Sequence, residues 1–474
     1  MWGRVLVFYS VTVVAGMIPV RADGQEKPTP VRSPYLLPRY NENWSFLGDP
    51  TQRTDFWDPL KFIPISSDEN AYLSLGGEIR EAYERFHNTG FGLSTEDPQG
   101  YSLQRYLFHL DFHYGWRFRV YGEVASSLEF GRTGGPRPVI DRDKFDVHQG
   151  FFDVVLLNRG EAASLWLRAG RQEMAFGSGR LVALREGANV PLSFDGLRLS
   201  LALRPWQIDA FAARPTQNNP GILDDPPQHD FSFWGVYTSH SPASHSGKPS
   251  IDFYYFGLDR KHAVYNQGAG HEIRHTLGSR IWGRQGKWSY DDEATYQIGS
   301  FGLGKIAAWR LAGDHAYTFS SVRWNPRLAL AADIASGDRD PASANLQTFN
   351  AMFQSGTYSG RAQILGPNNT IRLEPSLGLA FAENFTLSTG WGFYWRESVN
   401  DGLYGIPGNL IVPSNGVKSR YEGSRPIMQI DWQVTRHVSL DVNYIYVFNA
   451  HFEEQSVHGT SNMSYISPWL TFRF

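Results

Sequence analysis

Residues 271–275 read His-Glu-Ile-Arg-His, the H-E-x-x-H pattern in which two histidines hold a zinc ion and the glutamate acts as a base. That chemistry needs a helix, because only there do positions i and i+4 share a face. The flanks YNQGAG and TLGSRIWG are turn and strand residues. In an extended chain His271 and His275 lie about 13 Å apart at ~3.3 Å per residue, too far for one ion held at ~2 Å. The stretch is read as a loop leading into a strand. His109, Asp111 and His113 of HLDFH share a strand face at spacings of about 7 Å and read as part of a polar wall. GSFGLGKI at 299–306 mimics a phosphate loop, but Ile306 stands where Ser or Thr is required and no helix follows, so a glycine-rich hairpin is expected. Asp338 and Asp340 of ASGDRDP leave a loop calcium open, although their spacing is not that of the helix-flanked calcium loop. No catalytic residue and no resident metal or cofactor is assigned. With no cysteine, disulfides and thiolate chemistry are excluded.

The elements that position these residues alternate with a period of two. In 72–86, Leu73, Leu75, Ile79 and Tyr83 oppose Ser74, Glu78, Arg80 and Glu84. In 116–129, Phe118, Val120, Val124 and Leu128 oppose Arg117, Arg119, Glu123 and Glu129. The pattern predicts strands at 72–86, 101–114, 116–129, 146–157, 163–172, 194–203, 206–213, 232–239, 250–259, 274–283, 287–297, 306–319, 325–337, 371–381, 385–396, 421–434, 437–448 and 463–474. Links after even strands are short, and that at 240–249 modest. Links after odd strands are mostly long: 87–100, 130–145, 173–193, 214–231, 260–273, 338–370, 398–420 and 449–462. The expected fold is all-β, a transmembrane outer-membrane antiparallel barrel of about 18 strands with long extracellular loops and short periplasmic turns. Closure satisfies every backbone group of a wall that faces lipid. A soluble β-sandwich is the competing architecture, and the strands are long for one. Asp195 and Asp292 fall on the apolar parity, through a bulge or a register error.

Residues 1–22 form a signal peptide, with a basic start, an apolar run and Val20-Arg21-Ala22 at the expected cut; an N-terminal anchor is the alternative. Residues 23–67 are an irregular periplasmic lead-in, rich in Pro and aromatics, and 68–474 the barrel. No later stretch is apolar enough to span a membrane as a helix.

Charge is nearly balanced, 44 basic against 47 acidic residues, without the basic stripe of a nucleic-acid binder. Only eight of the 44 basic residues are lysine, leaving 36 arginines, whose flat forks match carboxylates. The polar parity places Arg80, Arg105, Arg117, Arg119, Arg168, Arg198, Arg280, Arg310, Arg372 and Arg396 on a lumen wall. Glu78, Asp111, Glu123, Glu129, Asp153, Glu293, Asp333 and Asp431 stand among them. Such a wall could pass an anion along weak sites in series. Residue by residue, the competing reading is that these charges pair across strands and stiffen the wall.

LSLGGEIRE (73–81), LEFGRTGGPRP (128–138), LRAGRQEMAFGSGRLVALREGANVPLSFDGLRL (167–199), DAFAARP (209–215), ADIASGDRDP (332–341), ILGPNN (364–369) and DGLYGIPGN (401–409) together resemble the bacterial alginate export family. The resemblance runs from about residue 68 to the C-terminus. It implies an 18-stranded porin in the cell outer membrane, with an Arg-rich lumen that passes an anionic exopolysaccharide outward by passive diffusion. It also implies a polysaccharide and outer-membrane lipid as partners, a monomer, and no enzyme, and leaves periplasmic export proteins open. Two other readings stay in play: a general or anion-selective porin for small solutes, and a barrel enzyme such as a lipase or protease.

Overall fold

Alternation of Leu, Val, Ile and aromatics with Arg, Glu, Ser and Gly gives each strand two faces with different solvents. In the computed structural model, which describes residues 35–474 apart from 67–69, 93, 95, 243–246, 357–359, 363, 407 and 458, those strands close into one antiparallel barrel. The signal peptide 1–22, the lead-in up to residue 34 and the boundary near 67–68 lie outside the described residues.

The barrel strands are β1 Ala71–His87, β2 Tyr101–Tyr114, β3 Phe118–Phe130, β4 Asp143–Asn158, β5 Ser164–Gln172 and β6 Phe194–Leu203. Next come β7 Trp206–Pro215, β8 Phe231–His240, β9 Ser250–Tyr265, β10 Gly268–Gln285, β11 Trp288–Phe301 and β12 Gly304–Thr318. The last six are β13 Arg327–Ala335, β14 Thr370–Ala382, β15 Phe385–Arg396, β16 Tyr421–Gln433, β17 Val438–Val447 and β18 Met463–Arg473. Each pairs with its sequence neighbours, and β18 closes on β1 with Ile79 opposite Phe472 and Glu78 opposite Arg473. Terminal Phe474 extends the seam: its amide donates to the Gly77 carbonyl and Gly77 to its carbonyl, both at 3.1 Å.

The outward parity is apolar and exposed along the strands, as at Phe108, Leu110, Leu197, Leu277, Leu328 and Leu470. Trp116, Trp206, Trp288, Trp324 and Trp432 gather at the short-turn end, where a membrane barrel carries an aromatic girdle. The two acidic misfits are in register and outward. Asp195 pairs with Arg171 of the neighbouring strand at 2.9 Å, and Asp292 with His315 at 2.8 Å. Each acid is matched by a partner on the same face, so neither a bulge nor a register slip is involved.

One link differs from expectation. Residues 260–273 are not a long loop: β9 and β10 run on together and are joined by Asn266-Gln267. A bulge between Arg260 and Ala263 shifts the alternation there, which hides the strand in the sequence. The 299–306 stretch is the expected hairpin, turning at Leu303 with Gly302 at φ +53°.

Long links turn into the barrel. Segment 173–193 and residues 346–353 meet inside it, where the Phe353 amide donates to the Leu181 carbonyl at 2.8 Å and the Ala183 amide to the Phe353 carbonyl at 2.9 Å. Phe176, Leu181, Val182 and Phe349 form an interior core with Phe211, Phe233, Tyr237 and Phe256 of β7, β8 and β9. The described lead-in, residues 35–64, covers the short-turn end of β1–β4: Tyr40 packs on Tyr121 and Phe151. Gly76 is required there, because a Cβ would stand 2.3 Å from Lys61 Nζ and 2.6 Å from His109.

Candidate functional site

The candidate site is the inward parity of the barrel. HEIRH is strand, and its alternation separates the residues a zinc site would join. His271 and His275 face outward, bonded to Asp259 at 2.7 Å and Tyr255 at 2.8 Å, while Glu272 and Arg274 are buried on the inner side. His109, Asp111 and His113 do share the inner wall. His113 lies 3.0 Å from Asp111.

All the predicted lumen arginines face inward except Arg117. It precedes β3 in the 115–117 turn and is exposed, its guanidinium 4.7 Å from the Trp116 ring. Parity placed it on the wall, but the strand starts one residue too late to hold it there.

On β1–β5 the inward charges form a chain of close pairs. Arg105 is fully buried; its Nη2 donates to Glu78 at 2.6 Å and to Glu186 of the inward segment at 2.8 Å. Arg473 donates to the other Glu78 oxygen at 2.8 Å. Arg80 donates to the Glu186 and Ala188 carbonyls at 2.9 and 3.0 Å and lies 4.2 Å from the Trp469 ring centre. Arg119 forks onto Asp111 with both bonds at 2.7 Å and holds the Tyr40 carbonyl at 2.6 Å. Arg168 forks onto Asp153 at 2.7 and 2.8 Å and stacks 3.8 Å from Phe151. Glu123 accepts from Tyr121 and Gln149, both at 3.0 Å. Glu129, near the long-loop rim, accepts from the Arg132 amide at 2.7 Å.

On β6–β16 the pairs continue. Arg198 donates to Asp209 at 3.0 Å, and Arg280 to Asp291 and Asp252, each at 2.8 Å. Arg310 donates to Asp333 at 2.9 Å and to the Arg180 carbonyl at 3.1 Å. Glu293 accepts from Tyr254 at 2.6 Å and from Arg180 at 3.1 Å. Arg372 lies 3.9 Å from Glu374, and Asp431 accepts from Gln429 at 2.7 Å. Arg396 instead holds carbonyls of the 397–420 segment, including Asp401 at 3.0 Å and Val417 at 2.7 Å.

Cross-strand pairing therefore describes most predicted residues individually. Bidentate forks of this kind fix geometry, and their charges are spent on one another. Besides Arg473, four further inward strand arginines escaped the sequence reading. Arg274, fully buried, binds Glu272 at 2.6 Å; it opens the predicted strand 274–283 on the parity of Arg280. Arg425 stacks 3.8 Å from Tyr394, on the same parity as Asp431. Arg284 and Arg327, at the short-turn ends of β10 and β13, share the parity of Arg280 and Asp333. Both are exposed and form no ion pair among the described residues; the charge of Asp314 attracts Arg327 and that of Arg284 repels it. Their signal was available by extending each strand's parity to its end.

Asp338 and Asp340 belong to a loop knot: the Asp338 amide donates to Asp401 at 2.8 Å, and Asp401 also takes the Thr348 and Tyr404 hydroxyls at 2.6 and 2.7 Å. Burial first, then Asp401 and Asp340, push the Asp338 carboxyl up to about 6.

The barrel is similar in fold to solved porins. Pseudomonas aeruginosa OpdK, crystallised with vanillate, shares 11% identity at a TM-score of 0.53, covering 86% of this chain and 99% of its own. A BenF-like porin from Pseudomonas fluorescens Pf-5 shares 10% at 0.57, covering 86% and 99%. Pseudomonas aeruginosa OccK8 (OprE) shares 11% at 0.56, covering 85% and 98%. No curated protein matches the sequence. The profile of the alginate export family, described as "Alginate export", matches residues 71–464. With that span running from the start of β1 to the first residues of β18, the chain belongs to the alginate export family.

Proposed function

We propose that this protein is an outer-membrane export porin through which an acidic polysaccharide diffuses passively, guided by arginines of the inner wall. Family membership combined with an 18-strand porin-type barrel is the observation that carries the reading. The interior chemistry supports it. With most wall guanidiniums already matched to carboxylates, an incoming uronate meets few free cations and is held weakly, and conduction needs such weak sites. The exposed pair Arg284 and Arg327 supplies the first contact at the short-turn mouth. A 16- to 18-strand barrel has room for an aqueous channel, and the inward segments narrow it.

The test is blocking of single-channel current in planar bilayers. Oligouronates should reduce the current at lower concentrations than neutral oligosaccharides of equal length. Equal blocking by both would instead assign a general porin. A porin for small anions would show anion preference without a dependence of blocking on oligouronate length.

A further inference from the structure

At the long-loop rim four carboxylates gather, with His148 in the lining of the same cavity but paired with Glu173 at 3.0 Å. The carboxylate oxygens of Asp143, Asp146 and Asp224 lie within 4.8 Å of one another. Asp225 joins Asp143 and Asp146 in lining a small cavity of ≈ 10 Å³, about the room of one water or one dehydrated cation. Thr216, Asn218 and Ser193 add neutral oxygens to the same lining. The guanidinium of Arg171 is 3.7 Å from Asp146 but is forked onto Asp195 at 2.9 and 3.0 Å.

The backbone is arranged around these acids. Asp146 Oδ2 accepts from the Asp224 and Asp225 amides at 2.8 and 3.2 Å, which draws the 216–228 loop onto the start of β4. Gly221 leaves the space that the Asp224 carboxylate occupies, since a Cβ there would stand 2.1 Å from its oxygen. A second observation points to a missing ligand. Asp143 is 3% exposed and lines the cavity, and its Oδ1 accepts no hydrogen bond among the described residues. A buried carboxylate oxygen left so is costly unless a cation meets it.

We infer that Asp143, Asp146, Asp224 and Asp225 form a divalent-cation site of the calcium type that staples the 216–228 loop to β4. Calcium fits because it takes six to eight oxygens in flexible geometry, and carboxylates with neutral oxygens are what the site offers. The site is separate from the Asp338–Asp401 knot.

The test uses the full folded protein in detergent, stripped with a chelator and titrated with Ca²⁺ by calorimetry. One Ca²⁺ should bind per chain with a Kd of about 10⁻⁴–10⁻³ M, the range of extracellular modules. Asp224→Asn, an exposed loop change that leaves the barrel intact, should weaken binding about tenfold or more. Asp143→Asn should do the same, and Asp338→Asn should change nothing. Ca²⁺ should also slow proteolysis within 216–228 in the parent protein and not in Asp224→Asn. No heat of binding, or binding unchanged in both Asp224→Asn and Asp143→Asn, or loss of binding in Asp338→Asn alone, would overturn the site.

Discussion

The inner wall has two arginine-bearing sectors that share a residue type and differ in what surrounds it. On β1–β3, Arg105 is fully buried between Glu78 and Glu186, and the lead-in closes the space beneath it. On β10 and β13, Arg284 and Arg327 stand exposed near each other, with Ser289 3.5 Å from Arg327. The first sector spends its charge on structure; under the proposed function, the second keeps its charge for a passing anion. An arginine count cannot separate the two roles, but burial and partners can. The sharpest way to break the contrast is Arg105→Ala. Truncating one partner of a buried ion pair typically costs about 3–5 kcal/mol, because the other charge stays behind unpaired. Arg105→Ala should therefore lower the urea midpoint of the folded barrel markedly, as followed by the gel shift of unheated samples. A change as small as that of Arg327→Ala would show that β1–β3 is not the structural sector.

The lead-in is held to that sector by Arg39, which donates to the Gly77 and Phe474 carbonyls at 2.9 and 2.8 Å and to Glu42 at 2.5 Å. Hydrogen bonds of charged groups contribute about 1.5–3 kcal/mol each. Arg39→Ala should free residues 35–62 for proteolysis and raise single-channel conductance while the barrel remains folded. Unchanged conductance would mean the lead-in covers no part of the path.

Lys61 makes the same contact pH-dependent. Burial first, with Arg39 adding to it and Glu42 opposing, pushes its amine from 10.5 down to about 7. The undocked lead-in keeps its proton up to about 10.5 and the docked one loses it near 7. Docking therefore strengthens as pH rises from 7 toward 10.5, and this gain is absent below 7. The slope is at most about 1.4 kcal/mol per pH unit. Proteolysis of the lead-in should slow between pH 7 and 8, and Lys61→Met should remove that slope. A slope retained in Lys61→Met would assign it to another group.

Strand positions were legible because a wall between two solvents leaves a period of two in every strand: Ile79 and Phe472 face outward, and Glu78 and Arg473 inward. Legibility ended wherever that period broke. The bulge at Arg260/Ala263 hid the β9–β10 hairpin and with it the inward Glu272, and the turn at 115–117 lent Arg117 a parity without a strand. The partners of the inward arginines were legible only in part. Asp153 and Arg168 sit on adjacent strands and could be paired by register. Glu186 and Tyr40 reach Arg105 and Arg119 from segments that fold into the barrel, and no local pattern marks them. The rim carboxylates are of the same kind, since Asp143 and Asp224 meet only through tertiary structure.

The smallest effect carries the functional half of the contrast. Arg284→Ala and Arg327→Ala remove exposed charges that form no ion pair among the described residues, so stability should stay within about 0.5 kcal/mol of the parent. Contacts between exposed opposite charges are worth about 0–1 kcal/mol, so each substitution should weaken oligouronate blocking by about fivefold or less. Raising salt from 0.1 to 1 M shortens the screening length from about 10 Å to about 3 Å, and blocking of the parent should fall toward that of the double variant. The stability and blocking readouts must separate for the comparison to hold. If Arg284→Ala and Arg327→Ala leave blocking and its salt dependence untouched, the exposed pair does not meet the polymer, and the anion path must run past the locked arginines instead. A loss of barrel stability in either variant would place that residue with Arg105, as part of the wall.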